Sequence, residues 1–105
     1  MHPCVTTKNP DLPATRELAW IGDAVLSLYA RQWILKNLGK LDGDVLRSFT
    51  SNHFLSALGQ PTLVEAMIGE IFQERGLTDA LDWIEEFLLP LFLKQNKRLR
   101  SLVTH

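Results

Sequence analysis

An all-α fold, a small helical bundle, is what three features of the sequence predict. Apolar residues recur at three- and four-residue spacing in each periodic stretch. No segment keeps a period of two, and no tight turn is flanked by β-branched runs. Proline and glycine fall instead where helices begin and end. The chain has 105 residues, 46% apolar and 22% charged, which fits one folded domain and is too apolar for a disordered chain.

The first helix is expected over 14–38. Pro13 suits a first-turn position and Gly39 a stop. Leu18, Ile21, Val25, Leu28, Tyr29 and Trp33 form its apolar stripe, while Ala19, Asp23, Ser27 and Ala30 make a face of small groups open to close helix approach. An acid on such a face needs a partner. A second helix is expected over 44–58, capped by Asp42 or Asp44 and ended by Gly59. A third spans 61–75 with Gly76 as its stop. A fourth spans 78–89, with Thr78 as N-cap and Asp79 and Asp82 near its positive end. Pro90 either kinks it or separates a last helix over 91–99. The domain is thus expected over 14–100, with an N-terminal extension at 1–13 and fraying at 101–105.

Several classes of protein are excluded or made less expected. The longest apolar run, 87–93, has seven residues, far from the about 20 of a membrane span. It is read as core or subunit interface. Residues 1–10 carry no apolar block after a basic start, so no secretory signal is expected. The single cysteine, Cys4, excludes an internal disulfide and a Cys-based zinc site and points to a reducing, cytoplasmic setting. No phosphate loop, nucleophile triad or HExxH pattern is present, so no organic cofactor is expected. His2 and His105 are terminal and expected to be mobile, and His53 reads as a polar surface residue.

The net charge of −1 hides an uneven distribution. Residues 65–86 hold seven acids against Arg75 alone. No acid follows Glu86, and Lys94, Lys97, Arg98 and Arg100 come within seven residues. Local basic surface is therefore compatible with an anionic partner, although a solvated helix end explains the tail equally well.

Two acids stand out, Asp23 and Glu65, each beside a glycine on an apolar helix. Their surroundings read Ile21-Gly22-Asp23-Ala24-Val25 and Glu65-Ala66-Met67-Ile68-Gly69. As a pair, in this order, they resemble the two signatures of the ribonuclease III domain. Leu46-Arg47-Ser48 with Asn52, and Arg75-Gly76-Leu77 with Ala80 and Trp83-Ile84, resemble segments that follow each signature. The stretch Leu18-Ala19-Trp20-Ile21-Gly22-Asp23-Ala24 is closest to the minimal, Mini-III type, which lacks a double-stranded RNA-binding domain. The resemblance covers about residues 16–90.

The resemblance implies a Mg²⁺-dependent endoribonuclease, with Mn²⁺ as a substitute, acting on double-stranded or structured RNA, with ribosomal RNA precursors as the substrate class. It implies a homodimer and Asp23 and Glu65 as catalytic metal ligands; the candidate RNA contacts are the cations near the signature helices, Arg16, Arg31 and Arg47, with Asn52, and Lys97 and Arg98 of the basic tail. A heavy apolar load on a small domain also points to a second copy. Phosphodiester hydrolysis needs a nucleophilic water and neutralised charge, which Mg²⁺ on carboxylates supplies.

The chain departs from the family at three places. Ala19 and Thr62 occupy positions that are acidic in the full signatures. Only 41 residues separate Asp23 from Glu65, and the shortfall lies between Gly59 and Thr62, where the family carries a basic loop. Other roles remain open for both acids. Thr62-x-x-Glu65 fits a capping box, and Asp23 fits a buried ion pair or hydrogen bond. The alternative function is a catalytically inactive RNA-binding or ribosome-associated structural protein of the same fold.

Overall fold

A computed structural model describes residues 9–103. The sites at His2, Cys4 and His105, the extension over 1–8 and the end at 104–105 lie outside the described residues. As expected, the fold is all-α, with no strand among the described residues. The helices are α1 (Pro13–Leu38), α2 (Gly43–Phe49), α3 (Asn52–Leu55), α4 (Pro61–Arg75), α5 (Leu77–Phe87), α6 (Leu89–Gln95) and α7 (Lys97–Val103).

α1 is the spine. Its 26 residues, at about 1.5 Å each, run about 39 Å, close to the 41 Å long axis of the molecule. It ends at Gly39, whose φ of 73° turns the chain away. α4 makes the most extensive contact with it, and α5, α2 and α7 pack around the rest.

The α1–α4 crossing is a backbone contact. A Cβ placed on Gly22 would lie 1.7 Å from the Glu65 carbonyl oxygen, and one placed on Gly69 would lie 2.0 Å from the Leu18 carbonyl oxygen. Neither carbonyl can swing aside, because each belongs to the backbone of a helix. Only glycine at both positions allows the approach.

The core beside this crossing is aromatic. Phe49 stacks at 4.5 Å from Phe92 and 5.6 Å from Phe54, with Tyr29 at 5.9 Å. These rings join α1, α2, α3 and α6 and contribute beyond their buried area. The apolar run 87–93 supplies two fully buried members, Leu88 and Phe92, so its role includes core. Tyr29 donates to Glu85 Oε1 at 3.1 Å and ties α1 to α5; burial, and then the Glu85 carboxylate, push the phenol upward.

Three boundaries differ from expectation and a fourth resolves an open alternative, each for a local reason. The helix expected over 44–58 is broken at Thr50–Ser51. Thr50 Oγ1 donates to the Leu46 carbonyl and Ser51 Oγ accepts from Phe54 N, so side chains compete with the helical ladder and start α3 anew. α5 begins at Leu77 rather than after a Thr78 cap, because Gly76, at φ 96°, ends α4 and adjoins α5 directly. Pro90 separates rather than kinks: it lies in the first turn of α6. The last helix is two, split at Asn96, whose Nδ2 donates to the Phe92 carbonyl at 2.8 Å; α7 then continues through Val103.

The crossing makes a direct prediction. Gly→Ala inside a helix normally gains about 1 kcal/mol of propensity, while overpacking costs about 1–3 kcal/mol, and more where the clash is with backbone. Gly22→Ala and Gly69→Ala should each lower Tm by roughly 10 °C or more, since ~1 kcal/mol shifts a domain of this size by about 4–8 °C. Gly43→Ala, which meets only the tip of Arg47 at 3.4 Å, should leave Tm unchanged or raise it. Thermal unfolding followed by circular dichroism distinguishes them; an unchanged Tm for Gly22→Ala would refute the backbone contact.

Candidate active site

The glycine crossing positions the two acids. Asp23 follows Gly22 on α1, and Glu65 is the residue whose own carbonyl abuts Gly22. Backbone contact therefore sets their side chains next to each other across the helix pair. Burial, and then the adjoining Asp23 carboxyl through hydrogen bonding and charge, push Glu65 up to about 8.

Both acids line an open cleft of about 340 Å³ with Arg16, Trp20, Thr50, Asn52 and Thr62. Asp23 is exposed and Glu65 half-buried. Ala19, one turn before Asp23, also lines it and is buried. The cleft draws on α1, the α2–α3 corner and the start of α4. The break at Thr50–Ser51, which the periodicity did not signal, is what delivers Thr50 and Asn52 to its rim.

Glu65 is not a helix cap. Gln60 caps α4, its Oε1 accepting from Leu63 N at 3.0 Å. Pro61 takes the first helical position, so the cap must be residue 60, and Thr62 lies inside the first turn. The capping-box reading fails and Glu65 is left free for other chemistry. Asp23 is exposed and in no ion pair among the described residues, so the buried ion pair expected as one alternative is not formed; the group beside it is Glu65 on the neighbouring helix α4, which agrees with the hydrogen-bonded alternative.

The remaining cations and polar groups are distributed unevenly. Arg16 and Asn52 share the cleft with the acids. Arg31, two turns beyond Asp23 on α1, donates from Nε to Ser27 Oγ at 3.1 Å. Arg47 pairs with Asp44 on the exposed side of α2. Lys97 and Arg98 lie on α7. Trp20 and Thr50 are the residues whose place beside the acids sequence reasoning missed. Trp20 carried a signal, an aromatic three residues before Asp23 within the signature stretch. Thr50 carried none.

A divalent cation fits this donor set. Among the described residues no group of three or more His, Cys, Asp or Glu converges. Mg²⁺ does not require one: it keeps several waters and binds through one or two carboxylates plus substrate phosphate. Two carboxyls forced together, one of them holding a proton far above its ordinary range, are relieved by a cation. A roomier cleft of about 500 Å³ lies between α1 and α5–α6; its two acids, Asp82 and Glu85, both belong to α5, and Glu85 already accepts from Tyr29.

Compared with family models, curated proteins and solved structures, the chain matches none. The ribonuclease III resemblance thus rests on the residues of this chain alone. No helix among the described residues is long and apolar enough to cross a membrane.

The raised Glu65 gives stability a defined pH dependence. The folded state keeps the proton up to about 8, whereas the unfolded chain releases it near 4.5. Between these values the folded state binds more protons, so the metal-free protein should lose stability as pH rises from 5 to 8. Glu65→Gln should flatten that profile. Added Mg²⁺ should restore stability of the parent at pH 8 and leave the variant unmoved. Denaturant titrations at pH 5 and 8 measure it; a parent and variant with the same pH slope would refute the raised Glu65.

Proposed function

We propose that this chain is a Mg²⁺-dependent endoribonuclease that cleaves double-stranded or structured RNA, with ribosomal RNA precursors as its substrate class. The observation that carries the reading is the Asp23–Glu65 carboxyl pair in an open cleft, with Arg16 and Asn52 beside it. The two signature motifs, present in the family's order, add to it.

Asp23 and Glu65 would hold Mg²⁺, or Mn²⁺ in its place, through carboxylate oxygens. Bound there, the ion supplies charge neutralisation and water activation for in-line attack at phosphorus. Glu65, raised to about 8, would release its proton on holding the cation, which would couple affinity to pH. Arg16, on the same face of α1 as Asp23, would meet a phosphate oxygen. Asn52 would hydrogen-bond the RNA backbone at the opposite wall. By resemblance, the products would carry 5′-phosphate and 3′-hydroxyl ends.

A second copy of the chain completes the proposal. Trp20 is 81% exposed, and Ala24, Leu28 and Leu35 continue its stripe along the open face of α1 at helical spacing. So large an aromatic in water, at the edge of the cleft, is suited to packing against a partner protomer. Two clefts would then face the two strands of one duplex.

One observation favours the inactive alternative. With Ala19 and Thr62 in place of acids, the cleft offers only two carboxylates. An RNA-binding or ribosome-associated scaffold of this fold would keep the cleft and lose the turnover.

Asp23→Asn preserves shape and removes a charged ligand. It should reduce cleavage of long double-stranded RNA in Mg²⁺ by about 100-fold or more, since even an outer partner of a metal ligand is worth about 10–100-fold. Circular dichroism should be unchanged. A variant that cuts at the parent's rate would refute the metal assignment, and a parent that cuts nothing across metals and salts would leave the scaffold reading. Separately, the parent should scatter light as a dimer at micromolar concentration, and Trp20→Glu should convert it to an 11.9 kDa monomer. A monomeric parent rules out the α1 interface.

A further inference from the structure

The cations at the far end of α1 are separated in sequence and joined by the fold. Gly39 turns the chain at the end of α1, and Lys40 emerges beside α7. There a cleft of about 320 Å³ has Asn37, Lys40 and Asp42 on one side and Arg98, Leu99 and Leu102 on the other. Lys40 and Arg98 are exposed, and neither is tied into an ion pair or hydrogen bond among the described residues. Asp42 is differently engaged: its Oδ1 accepts from Asp44 N at 3.1 Å and Val45 N at 3.0 Å, which commits that oxygen to the start of α2. Two free cations therefore face one carboxylate that is already capping a helix.

This cleft neighbours the carboxylate cleft. α2 connects them, with its N-cap Asp42 in one and its C-cap Thr50 in the other. At about 1.5 Å per helical residue the separation is about 12 Å along α2, and about 22 Å from Asp23 to Leu38 along α1. That is the length of roughly four to seven base pairs, taking ~3.4 Å per pair of duplex DNA as a guide.

We propose that the Lys40–Arg98 cleft is a second phosphate-binding subsite, which grips the RNA backbone several base pairs from the Asp23–Glu65 pair. The inference rests on the nuclease reading for the identity of its ligand. It supplies a grip in a chain whose segment between Gly59 and Thr62 is short. A phosphodiester is a discrete anion able to enter a concave site with two cations on its walls, whereas a charged lipid surface is a plane. The competing structural role is neutralisation of the carbonyl end of α1, which requires no ligand.

The test is fluorescence anisotropy of the full chain with a labelled 20-base-pair RNA duplex in EDTA, across 50–200 mM salt. Lys40→Ala/Arg98→Ala should weaken binding about 10-fold or more at low salt and reduce the log–log salt slope by about 2, since each phosphate contact contributes about 0.9. Lys40→Arg/Arg98→Lys should bind like the parent. The parent should gain affinity from a 4- to a 10-base-pair duplex, and the alanine variant should not. An unchanged affinity and slope in the alanine variant, with a lowered Tm, assigns the cations to the helix end and overturns the subsite. A parent that binds phosphatidylserine vesicles and no RNA overturns it as well. Cleavage separates the two readings: a parent that binds through this cleft and never cuts refutes the nuclease and keeps the subsite, while a parent that cuts with an alanine variant that binds normally does the reverse.

Discussion

The Gly22–Gly69 crossing is the constraint on which the rest of the molecule depends. Two helices normally pack 8–10 Å apart with side chains interleaved. Here the Glu65 carbonyl occupies the space of a Gly22 side chain, and the Leu18 carbonyl that of a Gly69 side chain. The reciprocal contact fixes both the separation and the register of α1 and α4. Everything attached to these helices inherits that register, the aromatic core on one side and the carboxyl pair on the other.

The same closeness creates the electrostatic tension of the site. Asp23 and Glu65 cannot both ionise cheaply in a half-buried cleft without a cation, so Glu65 retains its proton far above its ordinary range. Stability and binding are set against one another at this point. The glycine contact that holds the fold together also compresses two like charges. Neutral groups would remove that tension, and so would the proposed cation.

Much of the fold was legible from local sequence. The Pro13–Leu38 and Pro61–Arg75 helices lie within a residue of the range that Pro13, Gly39, Pro61 and Gly76 mark, because these residues act on the backbone directly. The errors fell where side chains compete for backbone hydrogen bonds. Thr50, Ser51 and Asn96 interrupt stretches whose apolar spacing alone reads as continuous helix. Gln60 replaced Thr62 as the cap of α4 because the proline fixes which residue precedes the helix.

Asp23 and Glu65 were recognisable in the sequence as acids beside glycines on apolar helices, and the all-α class followed from periodicity, since both are properties of short stretches. Tertiary structure alone decided that the two acids line one cleft with Glu65 raised, that Arg16 and Asn52 stand with them while Arg47 pairs with Asp44, and that Lys40 and Arg98 line a second cleft together. Periodicity reports which face of a helix is apolar. It carries no information on which residues of two distant helices come into register, and that depends on the crossing point set by two carbonyl groups pressed against two glycines.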